Sequence, residues 1–197
     1  MVWFFSRNHY TTARSVWGFL LAVISNFYRT ALLPQWFGVT ADGTDQSAAL
    51  QKCIDSANGA VYFPPGNYAC KNISLAANTT YFGAGRASKI SLFQGNLYDA
   101  FRLGPNKSNV TIEHLFFYGD NLRNASYSVG GRGIRIYTDS VGQSNSNITV
   151  NNCEFSDFGF GAIRVWTNTS KVWITNNYIH RIRGSILGLY GQIYCSP

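Results

Sequence analysis

The chain has 197 residues, of which 46% are hydrophobic and only 13% charged, with 19 glycines and 16% aromatics. That aromatic and apolar content excludes disorder, and a charge fraction near half the globular norm suits buried strands and polar, uncharged corners. The net charge of +7 comes from 16 Lys and Arg against 9 Asp and Glu; it forms no basic cluster, so no nucleic-acid partner is expected, while an acidic polymer is compatible with it.

Residues 1–35 read as a leader. Arg7 and Arg14 precede the uncharged apolar run Val16 to Ile24, the arrangement of a signal peptide or signal anchor, although no A-x-A cleavage pattern follows. Nine residues fall well short of the ~20 that cross a bilayer, so no stable membrane span is expected. A helix packed on the end of the domain, or an upstream extension, is the other reading.

Residues 36–197 read as one domain. Within Asp45 to Ala57, the residues Leu50, Cys53, Ile54 and Ala57 recur at i, i+3, i+4, i+7, which predicts an amphipathic helix. Thr44 or Asp45 is a competent N-cap, and Asn58-Gly59 ends the helix. Gly59 to Phe63 then reads as a strand stopped by Pro64-Pro65.

From Phe101 onward the chain repeats. Asn109-Val-Thr-Ile112, Asn147-Ile-Thr-Val150 and Lys171-Val-Trp-Ile174 alternate apolar and polar residues as half-buried strands do. Leu115/Phe117, Cys153/Phe155 and Asn177/Ile179 form a second set. Phe101/Leu103, Ile134/Ile136, Ile163/Val165 and Leu187/Leu189 form a third. Ile148 to Val172 and Ile163 to Leu187 are both steps of 24 residues. Val110 to Ile148 is a step of 38, and the surplus lies in two corners, nine residues before Ile134 and five before Ile148. Insertions confined to corners are what a solenoid tolerates. The predicted fold is therefore all-β, a right-handed single-stranded parallel β-helix of three short strands per turn. The helix at Asp45 to Ala57 is expected to cap its N-terminal end, and the lack of a comparable cap after Gly191 suggests further rungs beyond Pro197. Asn152 and Asn176 share one corner of successive rungs and are expected to form an amide ladder.

Cys53, Cys70, Cys153 and Cys195 show no CxxC spacing, so no zinc site is expected. Cys53 and Cys70 either pair in a secreted chain or serve as small buried residues. Seven Asn-x-Ser/Thr sequons occur, at Asn72, Asn78, Asn106, Asn109, Asn124, Asn147 and Asn168.

The segment Phe37-Gly38…Asp42-Gly43-Thr44-Asp45, followed by Phe63-Pro-Pro-Gly-Asn-Tyr68, resembles the opening of the pectate-lyase-like superfamily, with its rhamnogalacturonase, polygalacturonase, epimerase-like and phage tailspike members. The match covers residues 36–68, lacks one residue between Gly43 and Thr44, and has Gln46 where the pattern carries a second Asp. The resemblance implies a secreted, extracellular or virion-borne protein. It would degrade a pectin-like or other acidic polysaccharide by hydrolysis or by lyase chemistry, with calcium as the cofactor in the lyase case and no cofactor otherwise. A non-catalytic carbohydrate-binding adhesin or tailspike module, homotrimeric in the tailspike case, is the alternative. The polygalacturonase motifs and the lyase WxDH pattern are absent.

Candidate site residues follow from strand direction. With Ile134/Ile136 and Ile163/Val165 inward, Arg102, Arg135 and Arg164 point outward in one column suited to sugar carboxylates. Trp166 adds a stacking surface. Asp139 and Asp157 are the candidate carboxylate pair, which hydrolysis needs about 5 to 9.5 Å apart. No metal ligands are assigned.

Overall fold

Alternating apolar positions that recur every rung can all be buried at once only if the rungs stack, and the strands do so. The computed structural model describes residues 31–93, 98–120, 131–189 and 193–196, so residues 1–30 of the expected leader lie outside it. The strands are β1 (Asp42–Asp45), β2 (Ala60–Phe63), β3 (Gly66–Cys70), β4 (Ile73–Ser74), β5 (Thr79–Leu92), β6 (Asp99–Leu103), β7 (Ser108–Tyr118) and β8 (Arg132–Ile136), then β9 (Asn145–Asn151), β10 (Glu154–Ser156), β11 (Gly161–Val165), β12 (Thr169–Thr175), β13 (Tyr178–His180), β14 (Ser185–Leu189) and β15 (Ile193–Ser196). The helix α1 spans Ser47–Asp55.

All the strand ladders among the described residues are parallel, and they define three layers. Layer one runs β2, the first half of β5, the first half of β7, then β9, β12 and β15. Layer two runs β1, β3, the second halves of β5 and β7, then β10 and β13. Layer three runs β4, β6, β8, β11 and β14. Layers one and two join in one hydrogen-bonded sheet because β5 and β7 pass through the corner between them.

The expected register holds. Val172 pairs with Ile148, and Val165 with Leu189. The inward residues form one core, including Val110, Ile112, Phe117, Ile134, Ile148, Phe155, Ile163 and Val172. Phe117 and Phe155 stack at 4.8 Å with ring planes 6° apart. Each such side chain contributes roughly 1.5–3 kcal/mol by leaving water.

Helix α1 buries Leu50, Cys53 and Ile54 completely. It starts two residues later than the outer predicted bound, and Asp45 Oδ1 accepts from the Ser47 N–H at 3.0 Å and its hydroxyl at 2.6 Å. Asp42 Oδ1 accepts from the Thr44 hydroxyl at 2.7 Å, from Thr44 N–H at 2.9 Å and from Gln46 Nε2 at 2.9 Å. The Thr44 hydrogen bonds hold its carboxyl down at about 2. Gly66 is required by close approach, since a Cβ there would stand 2.6 Å from that of Ala41.

One expectation is corrected. No bond joins Asn152 and Asn176; both take positive φ at the corner. The amide that serves the backbone is Asn177, which accepts from Cys153 N–H at 2.9 Å and donates to Val150 O at 2.8 Å. A true side-chain ladder stands elsewhere, Asn147 to Asn109 at 2.6 Å and Asn109 to Asn78 at 2.8 Å. Of the two readings of Cys53 and Cys70, the structure has the second: both are unpaired, buried thiols. Their place is the core, where small apolar volume is what the packing uses.

Candidate functional site

Layer three turns its polar residues to one outer face. Arg102, Arg135, Arg164 and Gly188 stand in register on β6, β8, β11 and β14, as the alternation predicted for the three arginines. A neighbouring row pairs Asp99 with Arg132, and Arg132 with Gly161. Successive strands lie about 4.8 Å apart, so these guanidinium groups repel unless something intervenes. Asp99 intervenes. Its fully buried carboxylate takes Arg102 Nε at 2.7 Å, Arg132 Nη1 at 2.7 Å and Arg135 Nη1 at 3.8 Å. Burial pushes Arg135 below the usual arginine range, with Arg132 and Arg102 adding to that and Asp99 opposing it.

Aromatic rings supply the rest of the support. Arg132 lies 4.2 Å from the Phe160 ring, Arg135 4.3 Å from Tyr137, and Arg164 5.2 Å from Phe160. Trp166 lies 5.1 Å from both Arg135 and Arg164. Each contact favours the cation. Even so, Nε of Arg132, Arg135 and Arg164 and Nε1 of Trp166 are buried without a hydrogen-bond partner. Four buried donors without a partner on one face are costly.

The two candidate acids are not brought together. Asp139 follows the C-terminal end of β8 in an exposed turn, where Gln143 Oε1 accepts from its N–H at 2.7 Å. Asp157 precedes the N-terminal end of β11. The five residues of a layer-three strand separate the two corners by about 16 Å, beyond the reach of a glycosidase pair. Asp157 is also occupied: it is 3% exposed, accepts from the Ser156 hydroxyl, and takes Arg181 Nε at 2.8 Å. As placed, the two acids do not form a pair. Of the two enlarged corners, residues 121–130 lie outside the described residues, and the corner from Tyr137 to Asn147 ends on buried Asn145, which donates to Tyr137 O at 2.9 Å.

Comparison with known proteins fits this geometry. Residues 35–103 match the family model described as rhamnogalacturonase A/epimerase, pectate lyase-like. The solved structures that follow share the parallel β-helix fold. A mannuronan C-5 epimerase A-module from Azotobacter vinelandii superposes with a TM-score of 0.65 at 22% identity, over 77% of this chain and 44% of that one. The tailspike protein of Acinetobacter baumannii bacteriophage Fri1, a capsular polysaccharide depolymerase, gives 0.56 at 18%, over 75% and 34%. An iota-carrageenase complexed to iota-carrageenan fragments gives 0.52 at 17%, over 71% and 39%. This chain thus spans less than half of each of these three structures. No curated protein matches it.

The described residues of layer three do not fit calcium. The ion takes six to eight oxygen ligands, and the one acid on these five strands, Asp99, is enclosed by three arginines. Sequence reasoning found the arginine column but missed Asp99. The available signal was the equal offset of Asp99 from Phe101 and of Arg132 from Ile134. Among the described residues no helix is long and apolar enough to cross a membrane.

Proposed function

We propose that the protein acts on an acidic polysaccharide outside the cell or on a virion, holding a sugar carboxylate against the arginine face of layer three. The observation that carries this reading is the in-register column Arg102, Arg135 and Arg164 with Trp166 beside it, against a single acid, Asp99, on the same strands. Arginines pair carboxylates with two parallel hydrogen bonds, and Trp166 offers its ring beside them.

The reaction this favours is removal of the proton on the carbon that bears the carboxylate. Neutralising the carboxylate stabilises the negative charge that develops there. Tyr137, whose ring lies against Arg135, is the proton-transfer side chain on this face. The electron pair left on carbon then either expels the oxygen substituent one carbon away, which cleaves the chain and forms a double bond, or recovers a proton from the opposite side, which inverts the centre. For hydrolysis layer three presents only the enclosed Asp99, which favours this chemistry, and a C-5 epimerase stands among the similar folds beside a galactohydrolase.

The test is incubation with mannuronan and with polygalacturonate in deuterated water. We expect either deuterium at C-5 by NMR, from inversion, or ultraviolet absorbance from an unsaturated product, from elimination, and the loss of both in Tyr137→Phe while polymer binding persists. New reducing ends with neither deuterium nor absorbance would overturn the reading in favour of hydrolysis. Binding without any turnover would leave a carbohydrate-binding module.

A further inference from the structure

We infer that the outer face of layer two carries a second site, which binds an acidic sugar unit of a polysaccharide. It shares no residue with the arginine face and does not rest on the reaction proposed for that face. Two adjoining depressions lie there. One, of about 280 Å³, is lined by Arg86, Lys89, Tyr118 and His180 among others. The other, of about 220 Å³, is lined by Arg86, Glu154 and Tyr178 among others. Arg86 borders both, so they adjoin along one face.

The register explains why these residues converge. Lys89, Phe116, Glu154 and Tyr178 follow one another on β5, β7, β10 and β13. Ser91, Tyr118, Ser156 and His180 form the next row along the same strands. Four strands span about 14 Å along the stack, the dimension of a short oligosaccharide rather than of a single small ion.

Each wall has a use in sugar recognition. Lys89 Nζ sits 5.2 Å from the Tyr118 ring and has no acidic partner among the described residues. Arg86 is 72% exposed, lies 5.3 Å from the Phe116 ring, and approaches Glu154 only to 3.5 Å. An exposed pair of that length is weak and gives way to a better-placed carboxylate. Glu154 accepts from His180 Nε2 at 3.1 Å and keeps acceptor capacity for sugar hydroxyls. Tyr178 is 63% exposed, and its ring is fixed by stacking on His180 at 4.4 Å. An exposed ring held in one orientation is a platform for the apolar face of a sugar. Two cations for a carboxylate, one carboxylate for hydroxyls and one ring for the sugar face make up a binding set. The remaining charged pair at the rim, Asp157 with Arg181, is satisfied internally.

The test is titration calorimetry with three short oligosaccharides: oligogalacturonate, a sulfated carrageenan fragment, and neutral maltohexaose. The proteins are wild type, Arg86→Ala/Lys89→Ala, Tyr178→Ala and Arg164→Ala. Wild type is expected to bind two oligogalacturonates, falling to one in Arg86→Ala/Lys89→Ala and to one in Arg164→Ala. Tyr178→Ala is expected to weaken the second site about tenfold. A single site that survives Arg86→Ala/Lys89→Ala overturns the layer-two site. A single site lost in that variant and untouched by Arg164→Ala supports the layer-two site and removes the arginine face instead. Binding of maltohexaose as tight as that of the acidic sugars overturns the acidic specificity, while preference for the sulfated fragment assigns the anion as sulfate.

Discussion

Asp99 and Arg132 face each other across β6 and β8, Oδ1 to Nη1 at 2.7 Å, with the carboxylate fully buried. The same carboxylate holds Arg102 and Arg135, so a single acid fixes three cations of the outer face. Asp99→Asn keeps the shape and removes the charge. The three guanidinium groups then confront one another without compensation, and breaking such a buried pair costs roughly 3–5 kcal/mol. Urea unfolding of Asp99→Asn against wild type measures this. A loss below about 1 kcal/mol would mean that the arginines are held by their aromatic neighbours alone.

How much of this was legible in the sequence depends on direction. Along the stack, periodicity fixes register, because inward residues such as Ile148 and Val172 must superpose for the core to close. The arginine column followed from the same logic. Around the rung, periodicity is silent. It cannot say that Asp139 and Asp157 sit at opposite ends of a strand layer, nor that the side chain of Asn177, placed in the inward set by its alignment with Cys153, serves the backbone of the rung below. The strand limits were also hidden: β5 carries extra residues at Phe82/Gly85 and Gly85/Lys89, where its register to β7 shifts, and it continues through the corner as one strand. Asp99 escaped notice because a buried acid on a strand has no sequence signature apart from its partners.

The stacked pair Phe117 and Phe155 ties the rung of β7 to that of β10. Both rings are fully buried. Phe155→Ala is expected to cost roughly 3–5 kcal/mol from lost transfer energy and the cavity left behind. Tyr178→Ala, one residue from the inward position on the next rung and largely exposed, should stay within about 0.5 kcal/mol. Comparable losses from both would contradict the assignment of inward and outward faces.

Thiol chemistry reports on the same core. Burial pushes Cys53 from its ordinary 9.0 up to about 11 and Cys153 up to about 12, while Cys195 is exposed. In the native state Cys195 should react with iodoacetamide, and Cys53, Cys70 and Cys153 should react only after unfolding. A thiol whose folded pKa is raised favours the folded state fully below its unfolded value. That stability is therefore present below about pH 9 and is lost as pH climbs through 11 to 12. Cys153→Ser should unfold at lower urea than wild type at pH 7. Rapid native labelling of Cys53 would place it outside the core.

The ladder of Asn78, Asn109 and Asn147 offers a test of the corners. All three take positive φ, at 55°, 58° and 56°, and Lys171 continues the conformation on the next rung at 53°. The left-handed region costs an ordinary side chain roughly 1–2 kcal/mol, and asparagine visits it more readily. Asn147→Ala loses both that tolerance and the 2.6 Å bond to Asn109, so a destabilisation of about 1–2 kcal/mol is expected. Asn147→Gly loses the bond but relieves the backbone, so it should cost less than Asn147→Ala. Asn147 lies in a sequon, and its amide nitrogen is the ladder donor, so a glycan there competes with the corner for the same atom. Thermal unfolding of the two variants decides it: if glycine is no better than alanine, the hydrogen bond rather than the backbone conformation holds the corner.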